Sequence, residues 1–140
     1  MLECMRGVDV VIHTATLHKP HVATHSRQAF VDTNVSGIHT VLEAALASGA
    51  SSVVFSSTTS TFGGALTPTG DCPARWIDED VPSVPRNSYG VTKKAAEDLC
   101  ELFFTSRRLP CLVLRTSRFF PGGRRRRRPP GRRARLVSRL

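Results

Sequence analysis

Three short apolar runs, Val8–His13 (VDVVIH), Ser52–Ser57 (SVVFSS) and Cys111–Arg115 (CLVLR), are separated by two longer stretches whose apolar residues recur every three or four positions. A short, almost continuous apolar run suits a strand covered on both faces of a parallel sheet, because neither side has to meet water. The longer stretches suit amphipathic helices. The first begins near Ser26 and carries Val31, Val35, Ile38, Leu42 and Ala45 on one stripe, with Ser48 and Gly49 as its stop signal. The second takes Asn87 or Ser88 as its cap and carries Val91, Ala95, Leu99, Leu102 and Phe103. The order strand, helix, strand, helix, strand predicts an α/β domain with parallel pairing and right-handed crossovers. Leu2–Arg6 read as the end of a helix ahead of the first strand. Residues 59–86, which hold Gly63, Gly64, Pro68, Gly70, Pro73, Pro82 and Pro85, read as one long irregular loop of the functional or mobile kind.

A length of 140 residues allows one domain with a modest core, and a 40% hydrophobic content separates the chain from compositionally disordered ones. A formal net charge of +9 would point to a polyanionic partner if it were spread over the domain, but nine arginines lie in Arg124–Leu140. Residues 1–123 are left with eleven basic and eleven acidic side chains and no net charge. The chain therefore divides into a domain, 1–121, and an Arg-rich tail, 122–140, expected to be disordered because like charges repel and nothing apolar balances them. Arginines can neutralise phosphates, so a non-enzymatic basic protein that binds nucleic acid or an anionic surface through this tail is the alternative reading, but no aromatic side chains are interleaved and no nucleic-acid-binding pattern surrounds them, and a nucleic-acid partner is not the expectation. The abrupt change to Arg, Pro and Gly also fits GC-rich coding sequence translated out of frame, which the encoding DNA would show. Cys4, Cys72, Cys100 and Cys111 are widely spaced, with no Cys-x-x-Cys, and fit reduced thiols. No apolar run approaches the roughly eighteen residues of a membrane span and no signal-like segment opens the chain, so a cytoplasmic protein without membrane contact is expected.

In parallel sheets with helical crossovers, chemistry collects beyond the carboxyl ends of the strands. His13-Thr14-Ala15, Ser57-Thr58-Thr59 and Arg115-Thr116-Ser117 fall at those ends. Tyr89 and Lys93 are four residues apart at the start of the second helix and so share a face. A free phenol is a poor base at neutral pH, but a fixed cation beside it favours the phenolate and makes the tyrosine usable as an acid and a base. A hydroxyl from Thr58 could bond the same substrate oxygen. The plain alternative is a surface helix on which Tyr89 sits near the cap and Lys93 pairs with Glu97. His18, His21 and His25 have a spacing like that of metal ligands, but Pro20 disrupts the helix such a site needs and no acid or thiol lies close, so no metal is expected.

Six segments, VDVVIHTAT, DTNVSGIHTVLEAA, FSSTTSTFGG, the acidic WIDEDVPSVP ahead of SYGVTKKAAEDL, and LVLRTSRFFP, stand in that order. Together they resemble the NAD-dependent epimerase/dehydratase family of extended short-chain dehydrogenase/reductases, over about residues 5–121. The resemblance implies a partial Rossmann-type, doubly wound parallel sheet, and an enzyme that uses NAD or NADP to move a hydride on a nucleotide sugar or related polyol, with a homodimer through paired helices as a further implication. It implies that Tyr89 is the general acid and base and that Lys93 tunes it while bonding the nicotinamide ribose. Thr58 matches the family's serine or threonine, with Ser57 and Thr59 as lesser candidates. Thr14, Ala15 and Thr16 match the turn where backbone approaches the cofactor, with His18 nearby. Asn34 and Ser57 border that site, and Thr116 and Ser117 match the segment beside the nicotinamide.

Residues 1–140 depart from the family pattern in several places. The Gly-x-x-Gly-x-x-Gly turn and the ribose-binding acid that follows it are not among them, so the expectation is that at least one βαβ unit of the family pattern is missing from residues 1–140. Without that turn, residues 1–140 alone are expected to bind NAD weakly and to be inactive. Phe62-Gly63 stand where Tyr-Gly is commoner, and Arg118 stands where the family has asparagine. After Pro121 the arginines replace the family's substrate-binding region.

Overall fold

The computed structural model describes residues 2–68, 70 and 76–117; the tail, Arg118 and Cys72 lie outside the described residues. Three strands, β1 (Val10–His13), β2 (Ser52–Thr58) and β3 (Cys111–Thr116), form one parallel sheet in the order β1-β2-β3. Two helical segments connect them, giving the Rossmann-like α/β arrangement that the alternation of patterns predicts.

The first connection is continuous from α1 (Arg27–Phe30) through a π-helical turn (Val31–Ser36) into α2 (Gly37–Ser48). The Ser26 hydroxyl accepts from the Ala29 N–H at 3.1 Å and so satisfies one of the unpaired donors at the start. Gly49, at φ 74°, turns the chain out of α2 in the left-handed region that a side chain disfavours. The second connection is α3 (Ser88–Arg107), whose cap is Asn87: its side-chain oxygen accepts from the Gly90 N–H at 2.9 Å. Leu2–Met5 form a 3-10 turn, and the loop after β2 opens with two more, Thr59–Thr61 and Gly63–Leu66. That loop folds back on itself where Gly64 N–H donates to the Val84 carbonyl at 2.7 Å.

Strand register decides what faces the helices. Val11, Val53 and Cys111 are paired neighbours in one row, His13, Phe55 and Val113 in the next, and Ser57 and Arg115 at the carboxyl rim. Ile38, Leu42 and Ala45 of α2 and Ala96, Cys100 and Phe103 of α3 pack on these rows together with Met5. The opposite face is open among the described residues: Ile12 is 71% and Leu112 58% exposed, with Val10 and Leu114 beside them. The strands are thus covered on one face rather than on both. Successive crossovers of one hand, each stepping to the next strand in the same direction, put both helices on the same side.

The buried face of α3 also differs from the apolar stripe that its sequence suggests. Val91 and Leu102 are exposed, while Gly90, Thr92, Lys93, Ala96, Glu97, Cys100 and Phe103 are buried. The inward face is polar for its first two turns because the strand ends beneath it supply hydrogen-bond partners. Cys4, Cys100 and Cys111 are free thiols.

Candidate active site

The first turn of α3 lies against the turn that follows β2. A Cβ on Gly90 would stand 2.7 Å from the Ser60 carbonyl oxygen and 3.0 Å from Pro85 Cβ, so only glycine permits this approach. The consequence is that Tyr89 and Thr58 border the same open cleft, of about 870 Å³, at the carboxyl ends of the strands. His18, Thr116 and Ser117 line it too. Lys19, Pro20, Ala23 and Ser60 also line the cleft, and none of them stands out in the sequence beyond its proximity to residues that do. Thr58 is buried, and its hydroxyl oxygen accepts the Ser60 N–H at 3.1 Å, which leaves the hydroxyl proton to be donated elsewhere. The Thr116 hydroxyl donates to the Ser57 carbonyl at 3.0 Å.

Lys93, one turn after Tyr89, is almost fully buried, at 1% exposure. Its ammonium donates to the Ser56 carbonyl at 2.5 Å and stands 4.0 Å from the centre of the Phe55 ring. Burial pushes its pKa down to about 8, against Glu97 and Cys100, which raise it. Burial and the Lys93 charge together lower the pKa of His13, whose imidazole stacks on Phe55. The surface ion pair between Lys93 and Glu97 does not form.

Glu97 is instead engaged across the two strand ends. Its carboxylate accepts from the Ser57 hydroxyl and takes Arg115 in a two-pronged contact, Nη2 at 2.7 Å and Nε at 3.1 Å. Ser57 is thereby buried and faces α3 rather than the cleft. The bond to Glu97 raises the Arg115 pKa, and the guanidinium also lies over the Phe62 ring. Glu97 and Arg115 were legible only as a position four residues after Lys93 and as a strand terminus.

Asn34 sits in the π-helical turn and is 2% exposed. Its side-chain oxygen accepts from the Leu17 N–H at 2.8 Å and the Thr16 hydroxyl at 3.0 Å, and its amide donates to the Leu17 carbonyl at 2.9 Å and to Thr92 at 3.0 Å. All its hydrogen-bonding capacity is directed to protein, and it ties the segment after β1 to α3. Thr14 and Ala15 are exposed at the mouth of that segment and lie outside the lining of the cleft. His18, His21 and His25 pack edge to face, with centroids 4.5 and 5.0 Å apart, and no group of three or more metal-ligating side chains that could hold an ion occurs among the described residues. No helix among them is long and apolar enough to cross a membrane.

The family described as "NAD dependent epimerase/dehydratase family" matches residues 2–140. A dTDP-D-glucose 4,6-dehydratase of Mus musculus is 30% identical over 115 residues, covering 81% of this chain and 30% of that protein. UDP-glucose 4-epimerase 2 of Oryza sativa subsp. japonica is 31% identical over 108 residues, 76% of this chain and 25% of its own length. The crystal structure of UDP-glucuronic acid 4-epimerase from Bacillus cereus in complex with NAD superposes with a TM-score of 0.69 at 25% identity, over 83% of this chain and 34% of that one. The chain spans about a quarter to a third of the length of these proteins. With the family's model matching residues 2–140, the chain belongs to the NAD-dependent epimerase/dehydratase family.

Proposed function

We propose that this chain supplies the catalytic segment of a nicotinamide-dependent nucleotide-sugar epimerase or dehydratase, with Tyr89 as its acid and base. The observation that carries this reading is the convergence of Tyr89, Thr58 and Thr116 on one cleft above a buried Lys93. The donor set fits NAD or NADP: among the described residues the Lys93 ammonium uses one of its three N–H bonds, on Ser56, and the Thr58 hydroxyl, which only accepts from the Ser60 N–H, borders the cleft with its proton unused. Bound there, the dinucleotide supplies the hydride acceptor and donor. Tyr89 takes the proton of a sugar hydroxyl at its phenolate oxygen and returns it when the carbonyl is reduced. Lys93 follows Tyr89 by one helical turn on the same face, and Thr58 donates to the same sugar oxygen to orient it. Thr14, Ala15, Thr16, His18, Ser117 and Lys93 contribute to holding the cofactor, while Ser57 and Asn34 act from behind by fixing the strand end and the β1 segment. The relatives named above support a UDP- or dTDP-linked sugar as substrate, and the protein is proposed to work in the cytoplasm as a homodimer.

The test is a chimera in which residues 2–117 replace the matching stretch of a UDP-glucose 4-epimerase. Tyr89→Phe in that chimera should cut kcat by about 10²–10⁴-fold with little change in nucleotide-sugar affinity. A chimera that turns over equally well with phenylalanine would remove the mechanism. Residues 1–140 alone contain no glycine-rich turn for the pyrophosphate, and calorimetry with NAD should show weak binding; tight, stoichiometric heats would overturn that expectation.

A further inference from the structure

The described part of the chain holds one buried carboxylate, Glu97, that the proposed reaction does not use. A buried acid must be compensated, and this one is compensated twice, by the Ser57 hydroxyl from β2 and by the Arg115 guanidinium from β3. Both partners sit at the rim where the strands end, paired with each other in the sheet register. The peptide group joining Ser56 to Ser57 carries the carbonyl that receives the Lys93 ammonium. Its position is therefore fixed from both sides, by the Ser57 side chain on Glu97 and by the Thr116 hydroxyl on the Ser57 carbonyl.

We propose that Glu97 is a positioning residue for Lys93: by clamping Ser57 and Arg115 it fixes the Ser56 carbonyl as the ammonium's acceptor and keeps a negative charge one helical turn below it. The assignment as part of the reaction rests on the reading of Tyr89 and Lys93 given above; the placement of the charge does not. The other charged or titratable groups around Lys93 are His13 from β1, which is half-buried, Cys100 and Tyr89 on α3, and Arg115 from β3 behind Glu97. Of the groups that shift the Lys93 pKa, burial opposes the ammonium, and Glu97 and then Cys100 favour it. Cys100 is a thiol whose own pKa is raised, first by the hydrogen bond with Cys111, so it stays neutral near pH 8 and the carboxylate carries the effect.

NMR titration of the lysine side-chain resonances, with Lys93 assigned by Lys93→Arg, reads this without cofactor or turnover. Glu97→Gln should lower the proton affinity of Lys93 about tenfold or more, moving its titration toward neutral pH, and Glu97→Asp should restore much of it. A folded Glu97→Gln chain in which Lys93 titrates as before overturns the proposal. If Glu97→Gln does not fold, Ser57→Ala decides: the carboxylate keeps its charge and its Arg115 partner but no longer holds the strand end that carries the Ser56 carbonyl, so the Lys93 titration should move the same way by a smaller amount, an unchanged curve again overturning the proposal. Failure here leaves the Tyr89→Phe chimera result standing. Conversely, a shifted titration beside an indifferent chimera would keep the placement of Glu97 and remove only its connection to catalysis.

Discussion

The two halves of α3 bury themselves by different physics. From Thr92 to Glu97 the inward side chains are mostly polar, and each one finds a partner on a strand end or a neighbouring segment: Asn34 for Thr92, the Ser56 carbonyl for Lys93, Ser57 and Arg115 for Glu97. From Ala96 to Phe103 the inward side chains, Ala96, Cys100 and Phe103, belong to the apolar cluster with Ile38, Leu42 and Val53. One helix thus carries a stability half and a site half. The first gains from apolar area removed from water, and the second from bonds that restore what burial takes away.

The strongest challenge to that division is Phe103→Ala. It removes a large buried ring that also meets His39 edge to face, and it should cost about 3–5 kcal/mol in urea denaturation. A cost under about 1 kcal/mol would mean that the carboxyl half is not where the core is held.

Lys93→Met tests the other half and should go the opposite way. The folded pKa of about 8 lies below the ordinary 10.5, so below pH 8 both states carry the proton and the folded state bears the full cost of a buried cation. Between those two values the unfolded chain binds more protons, and stability rises with pH. Methionine has similar length and suits the Phe55 ring, so the variant should be more stable at neutral pH by about 2 kcal/mol and should lose the rise between pH 8 and 10.5. Parallel stability-versus-pH curves for the two proteins would place the ammonium in water and collapse the contrast.

The same division explains what could be read in advance. VDVVIH, SVVFSS and CLVLR announce strands because apolar content is a direct signature of burial, and Asn87 announces a helix start because its side chain replaces a missing backbone acceptor. Thr58, Thr116 and Ser117 could be placed on one rim from strand order alone, and they border one cleft together with Tyr89 from the start of α3. The polar half of α3 could not be read that way. A rule that seeks apolar periodicity selects Val91, Leu99 and Leu102, whereas Lys93 and Glu97 turn inward because Ser56, Ser57 and Arg115, from segments distant in sequence, wait for them. The open sheet face escapes for a related reason: Ile12 and Leu112 are apolar without being covered by either described helix. The π-helical turn is not legible in the sequence, where Val31–Ser36 continue the same apolar stripe as α2; the Gly37 N–H reaches the Asp32 carbonyl, one residue farther back than in an α-helix.

The smallest effect concerns how the apolar half ends. α2 leaves its last turn through Gly49 at φ 74°, while α3 does so through Arg108 at φ 59°, the non-glycine residue with positive φ among those described. Both residues sit in the left-handed region and donate their backbone N–H to carbonyls of the preceding turn, Gly49 to Ala45 and Leu46 and Arg108 to Phe103 and Phe104. A side chain in the left-handed region costs about 1 kcal/mol, and glycine gives part of that back through its freer unfolded chain. Arg108→Gly should therefore stabilise by about 0.5 kcal/mol, and Gly49→Ala should destabilise by about 1 kcal/mol, both read from paired denaturation curves. If Arg108→Gly instead loses stability, the arginine side chain is contributing at the helix terminus, where a cation interacts favourably with the last carbonyls, and the apolar half would owe part of its hold to charge.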